Sequence, residues 1–152
     1  MNQTQSVESG ELKSDERLIA FFSHLSVFFG SIVVPLIFWI IYKDKSKFAS
    51  FHSLQALFFH ISYVVFVILI ILILVFAGLG MGFLTEEDSI SDGKKIPPVV
   101  IILMVILYGV IFLSLFVFFG YSIYIAVKSY QGELKKYPII GKIVYKKIYG
   151  NI

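Results

Sequence analysis

The residues of this chain that could carry out chemistry stand together at the start of a long apolar run. Residues 51–60 read FHSLQALFFH, which brings two histidines, a serine and a glutamine into a stretch without charged side chains. On a helix, His52, Gln55 and His60 fall within about 140° of one another and share one broad face. Imidazole nitrogens can bind a metal ion or relay protons, and His24 can approach this face if the first apolar run folds back.

The spacing of the histidines argues against a simple metal site. His52 and His60 are eight residues apart, which is about 12 Å along a helix axis, whereas a Zn–N bond is about 2 Å long. The chain has no cysteine, and its apolar runs contain no carboxylate that could complete a ligand set. We therefore predict no metal, no cofactor and no catalytic residue. Two interpretations stay open for the polar face, which either hydrogen-bonds other helices or lines a small polar cavity or a partner contact. Its members are His24, His52, Gln55 and His60.

The composition says where such a polar face must lie. Hydrophobic residues make up 58% of the 152 residues and charged residues only 15%, against roughly 45–50% and 25% in soluble domains. A fold this small cannot hide that surplus of apolar side chains, because small domains leave much of their surface exposed. The surplus is expected to face lipid.

Three charge-free runs cover residues 18–42, 53–85 and 96–127. The second and third exceed the roughly 20 residues that a helix needs to cross a bilayer. Gly30 and Pro35 interrupt the first run, which is either one kinked span or a hairpin of two short helices. We predict an all-α, polytopic transmembrane bundle of four helices, with two short helices in a hairpin broken near Gly30–Pro35 and then two long spans. Its segments are a polar acidic tail (1–15), the bundle (16–131) and a basic amphipathic tail (132–152).

Lysines set the expected topology of this bundle. Segment 43–52 and the C-terminal tail are rich in lysine, whereas segment 86–95 holds four acids and two lysines. The positive-inside rule then places segment 43–52, the C-terminus and, for the hairpin, the N-terminus in the cytoplasm, and segment 86–95 outside the inner membrane. Trp39 and Tyr42 precede the charged segment and are expected to be interfacial anchors.

The tail KKYPIIGKIVYKKIYG is amphipathic when it is placed on a helix. Its apolar half would hold Ile139, Ile140, Ile143, Val144 and Ile148, with Lys147 as an exception on that side. Such a helix would lie along an anionic leaflet with Lys142, Lys146 and Lys147 on lipid head groups. The alternative is a frayed basic tail.

Four motifs together resemble a known family. They are ERLIAFFSHLS (16–26), VPLIFWIIYKDKS (34–46), FASFHSLQALFF (48–59) and AVKSYQGELKKYPIIGKI (126–143). In order and spacing they resemble a bacterial family of small membrane proteins of unknown function, grouped with the twenty-kilodalton Tic subunit of the chloroplast inner-envelope import machinery. The resemblance implies four helices with both termini in the cytoplasm. It marks as family-pattern positions His24, Pro35, Trp39, His52, Gln55, Ala56, Gly132 and Pro138.

These observations predict a non-enzymatic membrane protein. We expect a subunit or accessory of a membrane complex, with transport or protein translocation as its task. The alternative is a structural, regulatory or immunity-type protein that binds a partner membrane protein, and a histidine-dependent intramembrane enzyme or metal-handling protein is the least favoured. The expected partners are the lipid bilayer with its anionic head groups and a membrane protein or second copy of the chain, with no nucleic acid.

Overall fold

The computed structural model describes residues 12–29, 32–84 and 98–150, and within these ranges the regular structure is helical. In these described ranges, five α-helices and one 3-10 helix follow one another. They are α1 (Ser14–Leu25), the 3-10 helix (Ser26–Phe29), α2 (Val33–Tyr42), α3 (Lys47–Leu84), α4 (Pro98–Tyr130) and α5 (Ile140–Tyr149). The all-α class is confirmed. The count of four helices is not confirmed, because the basic tail itself folds into a fifth helix.

The first apolar run consists of two separate short helices. α1 and α2 contact each other, and the 3-10 helix between them begins at Ser26, whose hydroxyl donates to the carbonyl oxygen of Ser23 at 2.9 Å. Pro35 is buried in the first turn of α2, where a missing N–H costs nothing because that group has no partner within the helix. Pro35 therefore helps to begin a helix, and the break precedes it. Gly30, the other predicted break residue, lies outside the described residues.

Local hydrogen bonds explain where the long helices begin and end. α3 begins after Ser46, whose Oγ accepts a hydrogen bond from the Ala49 N–H at 3.2 Å, as an N-cap does. Beyond the end of α4, Gly132 has a φ of +86°. The Gly132 and Glu133 N–H groups donate to the carbonyl oxygens of Ser129 and Lys128 at 2.9 and 3.0 Å. This is a Schellman motif, in which glycine adopts the left-handed conformation at low cost and turns the chain sharply.

The chain divides into two compact units. The first runs through Phe59 and resumes at Ser122, and its apolar core is the cluster of Phe51, Leu54, Leu57 and Val144. The division differs from the predicted segments 1–15, 16–131 and 132–152, which stay a prediction.

The described residues of the second unit, His60–Tyr121, form two long apolar helical stretches. Within it Tyr63 stacks on Phe118 with ring centroids 4.0 Å apart. α3 over Lys47–Gly80 and α4 over Pro98–Tyr130 are long and apolar enough to cross a membrane. In the most apolar stretch of each helix, no residue is buried within the protein. A helix of 33 residues is about 50 Å long, more than a hydrocarbon core of about 30 Å requires. The prediction of two long apolar helices is confirmed.

The tail helix α5 packs differently from the prediction. Gly141 and Val144 are buried, and Ile140, Tyr145 and Ile148 pack against the core cluster of the first unit. Ile139 and Ile143, which the periodicity assigns to the apolar half, are 75% and 62% exposed. The helix is therefore rotated relative to the expected division, because its contact with the core is centred on the small side of the helix at Gly141, where two elements can approach closely.

Candidate functional site

The residues of FHSLQAL, positions 51–57, are all buried in the first unit. The ring of His52 meets the ring of His24 from α1, with Nε2 of His24 and Nδ1 of His52 3.1 Å apart. On the far side of each ring stands another polar atom. Nδ1 of His24 is 3.2 Å from the hydroxyl of Tyr137, and Nε2 of His52 is 3.2 Å from the backbone carbonyl oxygen of Glu133. The two histidines, both fully buried, are thus the centre of a continuous chain of hydrogen bonds.

When both rings are neutral, each donor and acceptor along this series of hydrogen bonds can be assigned. A backbone carbonyl only accepts, so His52 must donate to Glu133 from Nε2. Its Nδ1 is then an acceptor, and it receives the N–H of His24 Nε2. Nδ1 of His24 is therefore also an acceptor, and it receives the hydroxyl proton of Tyr137. The network itself assigns both histidines to the same tautomer.

Further side chains support this network. The hydroxyl of Ser122 on α4 donates to the backbone carbonyl oxygen of His24 at 2.8 Å and lies 3.4 Å from the Tyr137 hydroxyl. The hydroxyls of Ser23 and Ser53 are 2.9 Å apart and join α1 to α3 a second time. The ring of Tyr137 stacks on Phe59 with centroids 3.9 Å apart.

Gln55 holds the segment that follows α4. Its Nε2 donates to the carbonyl oxygen of Lys135 at 3.1 Å, and its Oε1 accepts the N–H of Tyr137 at 3.0 Å. One buried amide therefore satisfies two backbone groups of a segment that has no helix of its own. Without such partners, buried backbone groups would be costly.

Charged groups in the last turn of α4 and just beyond it hold the turn that carries the Glu133 carbonyl. The carboxylate of Glu133 accepts a hydrogen bond from the Lys128 ammonium at 2.8 Å, and Lys135 lies 3.6 Å away. The hydrogen bond from Lys128 is the main reason why the pKa of the Glu133 carboxyl is lowered from its ordinary value. The ammonium of Lys136 lies 3.3 Å from the ring centroid of Tyr145 and connects the same segment to α5.

The other predicted site residues have different surroundings. His60 is buried and belongs to the second unit. Trp39 is partly buried and packs against the core cluster, and the Lys147 ammonium is 6.0 Å from its ring centroid. Lys45 stands 5.9 Å from the ring centroid of Tyr42. Lys142, Lys146 and Lys147 are exposed.

Sequence reasoning did not find several members of the network. Tyr137 and the Glu133 carbonyl lie more than 80 residues from His52 and in a stretch rich in lysine. The sequence signal closest to this network was the Tyr-Pro pair at 137–138 in the fourth motif. Among the described residues, no three His, Cys, Asp or Glu side chains come together in a group that could hold a metal ion.

With the fold and this network in place, the chain can be compared with known proteins. The sequence pattern of the magnetosome magnetite crystal formation protein family matches residues 15–144. The chain belongs to this family. The matched region begins in the first turn of α1 and ends in α5, so it contains every member of the network described above.

The match replaces part of the resemblance inferred from the sequence. A magnetosome membrane protein family is supported, but nothing links the chain to the Tic subunit. Membrane localisation is supported by the family and by the two long apolar helices. No curated protein and no solved structure matches the chain.

Proposed function

We propose that this chain is a non-enzymatic integral protein of the magnetosome membrane that acts as an accessory subunit of a complex in magnetite crystal formation. The observation that carries the proposal is the contrast between the two units. The second unit, His60–Tyr121, has long helices with apolar side chains exposed along their length, and the first unit, which we call the module, is a small folded unit that buries a polar network beside its apolar core. The second unit suits a bilayer, and the module suits the presentation of a defined surface to a partner.

The absence of enzymatic activity is part of this proposal and rests on how the histidines are used. All four ring nitrogens of His24 and His52 have a hydrogen-bond partner inside the module. A general base or a metal ligand needs a nitrogen that faces substrate or ion. The network joins α1, α3 and the segment after α4, so its evident effect is to fix the geometry of the module.

The topology within the membrane is also part of the proposal. We place segment 43–52 and both termini in the cytoplasm and segment 86–95, which lies outside the described residues, on the opposite side. The hairpin of α1 and α2 would enter the bilayer without crossing it, because α2 has 10 residues and is only about 15 Å long. Labelling of single cysteines at Ser6 and Ser89 from opposite sides would support this arrangement, and labelling from the same side would refute it.

Deletion of the gene in a magnetite-forming bacterium tests the role in crystal formation. We expect crystals of altered size or number by electron microscopy, with recovery when the wild-type chain is restored. A His52→Ala variant should restore less than the wild type at equal membrane abundance, while the matched exposed variant Lys45→Ala should restore fully. Crystals indistinguishable from those of the parent strain would refute the role.

Crosslinking in native membranes tests the accessory role. A defined heteromeric partner recovered with the wild-type chain would support it. Recovery of the chain alone or only as a multimer of itself would contradict it, the latter in favour of a homo-oligomer. Transport stays a prediction of the sequence, and it fails if liposomes containing the chain and its partner pass no ion or peptide.

A further inference from the structure

One side of helix α5 packs against the rest of the first unit, and the opposite side is exposed. Gly141 and Val144 are buried, and Ile148 packs against the core cluster. The opposite side carries Ile139 and Ile143, which are 75% and 62% exposed. The apolar residues of this helix are therefore more numerous than docking to the module requires.

The exposed side combines apolar and basic residues in one continuous sector. At about 100° per residue, the sector spans roughly 140° of the helix. Ile143 lies within it with exposed lysines at 142, 146 and 147 on either side, and the exposed N-cap residue Ile139 immediately precedes the helix. No acidic residue occurs in α5 to neutralise this charge. We call this surface the α5 basic face, and it comprises Ile139, Lys142, Ile143, Lys146 and Lys147.

The backbone at the start of the helix holds one of these isoleucines outward at a cost. Ile139 has φ and ψ of +63° and −66°, and the Ile140 N–H donates to the carbonyl oxygen of Pro138 at 2.7 Å. This is a γ-turn with positive φ, a rare and strained conformation, most of all for a β-branched residue. Because the Ile139 side chain is mostly exposed, packing within the module does not compensate the strain.

A contact within the module indicates the level of this face relative to a membrane surface. Lys147 approaches the Trp39 ring at 6.0 Å, near the end of α2, where exposed charged residues follow Tyr42. The preceding part of α2 exposes apolar side chains, among them Val33, Ile37 and Ile40. A helix with this pattern has its apolar part in lipid and its aromatic end at the head groups, so α5 lies at head-group level.

We propose that the α5 basic face binds the head-group layer of an anionic bilayer. The three lysines pair with lipid phosphates, and the two isoleucines enter the boundary between head groups and acyl chains. This proposal rests on the membrane location proposed above. The occupant is lipid because the face is basic, apolar at its centre and lies beside the aromatic end of a lipid-facing helix.

The test uses the full chain in nanodiscs with an environment-sensitive label at position 143. The chain has no cysteine, so Ile143→Cys gives a unique site for a nitrobenzoxadiazole dye. We expect a blue-shifted emission and protection from iodide when phosphatidylglycerol is present, and neither in pure phosphatidylcholine. The triple variant K142Q/K146Q/K147Q removes these lysines. It should lower the equilibrium constant between the lipid-bound and the water-exposed state of the α5 basic face roughly fivefold per lysine, hence roughly a hundredfold in all.

A matched variant separates this local effect from net charge. K43Q/K45Q/K47Q removes three exposed lysines of the same chain and should leave the blue shift in place. Equal loss with both triple variants would overturn the proposal, and so would a label that stays exposed to water in both lipids. Protection found only in native membranes would also overturn it, in favour of a protein occupant. A chain that inserts into nanodiscs with an exposed label leaves the proposed membrane function standing, whereas failure to insert would refute both.

Discussion

Replacing Gly141 by alanine should undock the tail helix from the module. A Cβ atom at this position would lie 2.5 Å from Oε1 of Gln55 and 2.6 and 2.8 Å from the Cβ and Cα atoms of Lys136. The Cα atom belongs to the backbone and cannot rotate away. Oε1 of Gln55 can move only by giving up its buried hydrogen bond from the Tyr137 N–H. Both ways of making room are therefore costly.

The expected loss of stability follows from these two contacts. Forcing a methyl group into a packed site costs about 1–3 kcal/mol. A buried amide or N–H left without its partner costs about 1–3 kcal/mol. Because one methyl group causes both effects, we expect Gly141→Ala to lower the free energy of unfolding by about 2–6 kcal/mol in total.

The single tryptophan of the chain reports the effect directly. Trp39 packs against the core cluster that includes Val144 of α5, so release of the helix should shift its emission to the red. The free energy of unfolding is measured by denaturant titration of the chain in nanodiscs, and hydrogen exchange follows residues 140–149. Gly120→Ala is the matched control, since a Cβ there meets nothing within 4 Å, and it should be neutral or stabilising by up to about 1 kcal/mol. An unchanged midpoint and unchanged exchange for Gly141→Ala would refute the packing described here.

Three further perturbations test other parts of the module. Tyr137→Phe keeps the ring stack but leaves Nδ1 of His24 without this donor, and it should lower the free energy of unfolding by about 1–3 kcal/mol; stability equal to that of the wild type would contradict the direction assigned to the hydrogen-bond chain. The lowered pKa of the Glu133 carboxyl means that its pairing with Lys128 stabilises the fold above the ordinary carboxyl pKa of 4.5 and that this contribution is lost as pH falls through the lowered pKa. Unfolding midpoints measured across that acid range should therefore change less with pH in Glu133→Gln, and an identical pH profile would count against the pairing. Ile139→Gly should raise the free energy of unfolding by about 1–2 kcal/mol through relief of backbone strain, and a loss of stability in the same titration would show that the isoleucine side chain matters more to the fold than its conformation.

The sequence was a reliable guide to the membrane-related features. A surplus of apolar side chains and two long charge-free runs lead to long helices, because a chain in lipid must satisfy its backbone groups within each helix. The all-helical class and the two long apolar helices follow from this and are confirmed. The interruption near Gly30 and Pro35 was also visible in the sequence, although Pro35 lies inside α2 and the break precedes it.

The composition of the polar network depends on tertiary structure. His24, His52 and Gln55 could be recognised as polar residues in costly places, but their partners come from the other end of the chain. Tyr137 and the carbonyl oxygens of Glu133 and Lys135 reach them because a Schellman motif turns the chain at Gly132. Backbone carbonyls carry no sequence signal, and the turn's direction depends on one glycine conformation.

The tail shows the same division most clearly. Periodicity alone predicted an amphipathic helix at its end, and α5 is there, but periodicity could not say which side would be buried. Because isoleucines lie on more than one side of this helix, periodicity allows more than one side to be the buried one. The structure selects the arc around Gly141 because only there does the missing side chain allow Gln55 and Lys136 to approach. The sequence predicts two long apolar helices and a polar face, whereas tertiary packing decides which groups the polar face binds and which side of the tail helix stays exposed.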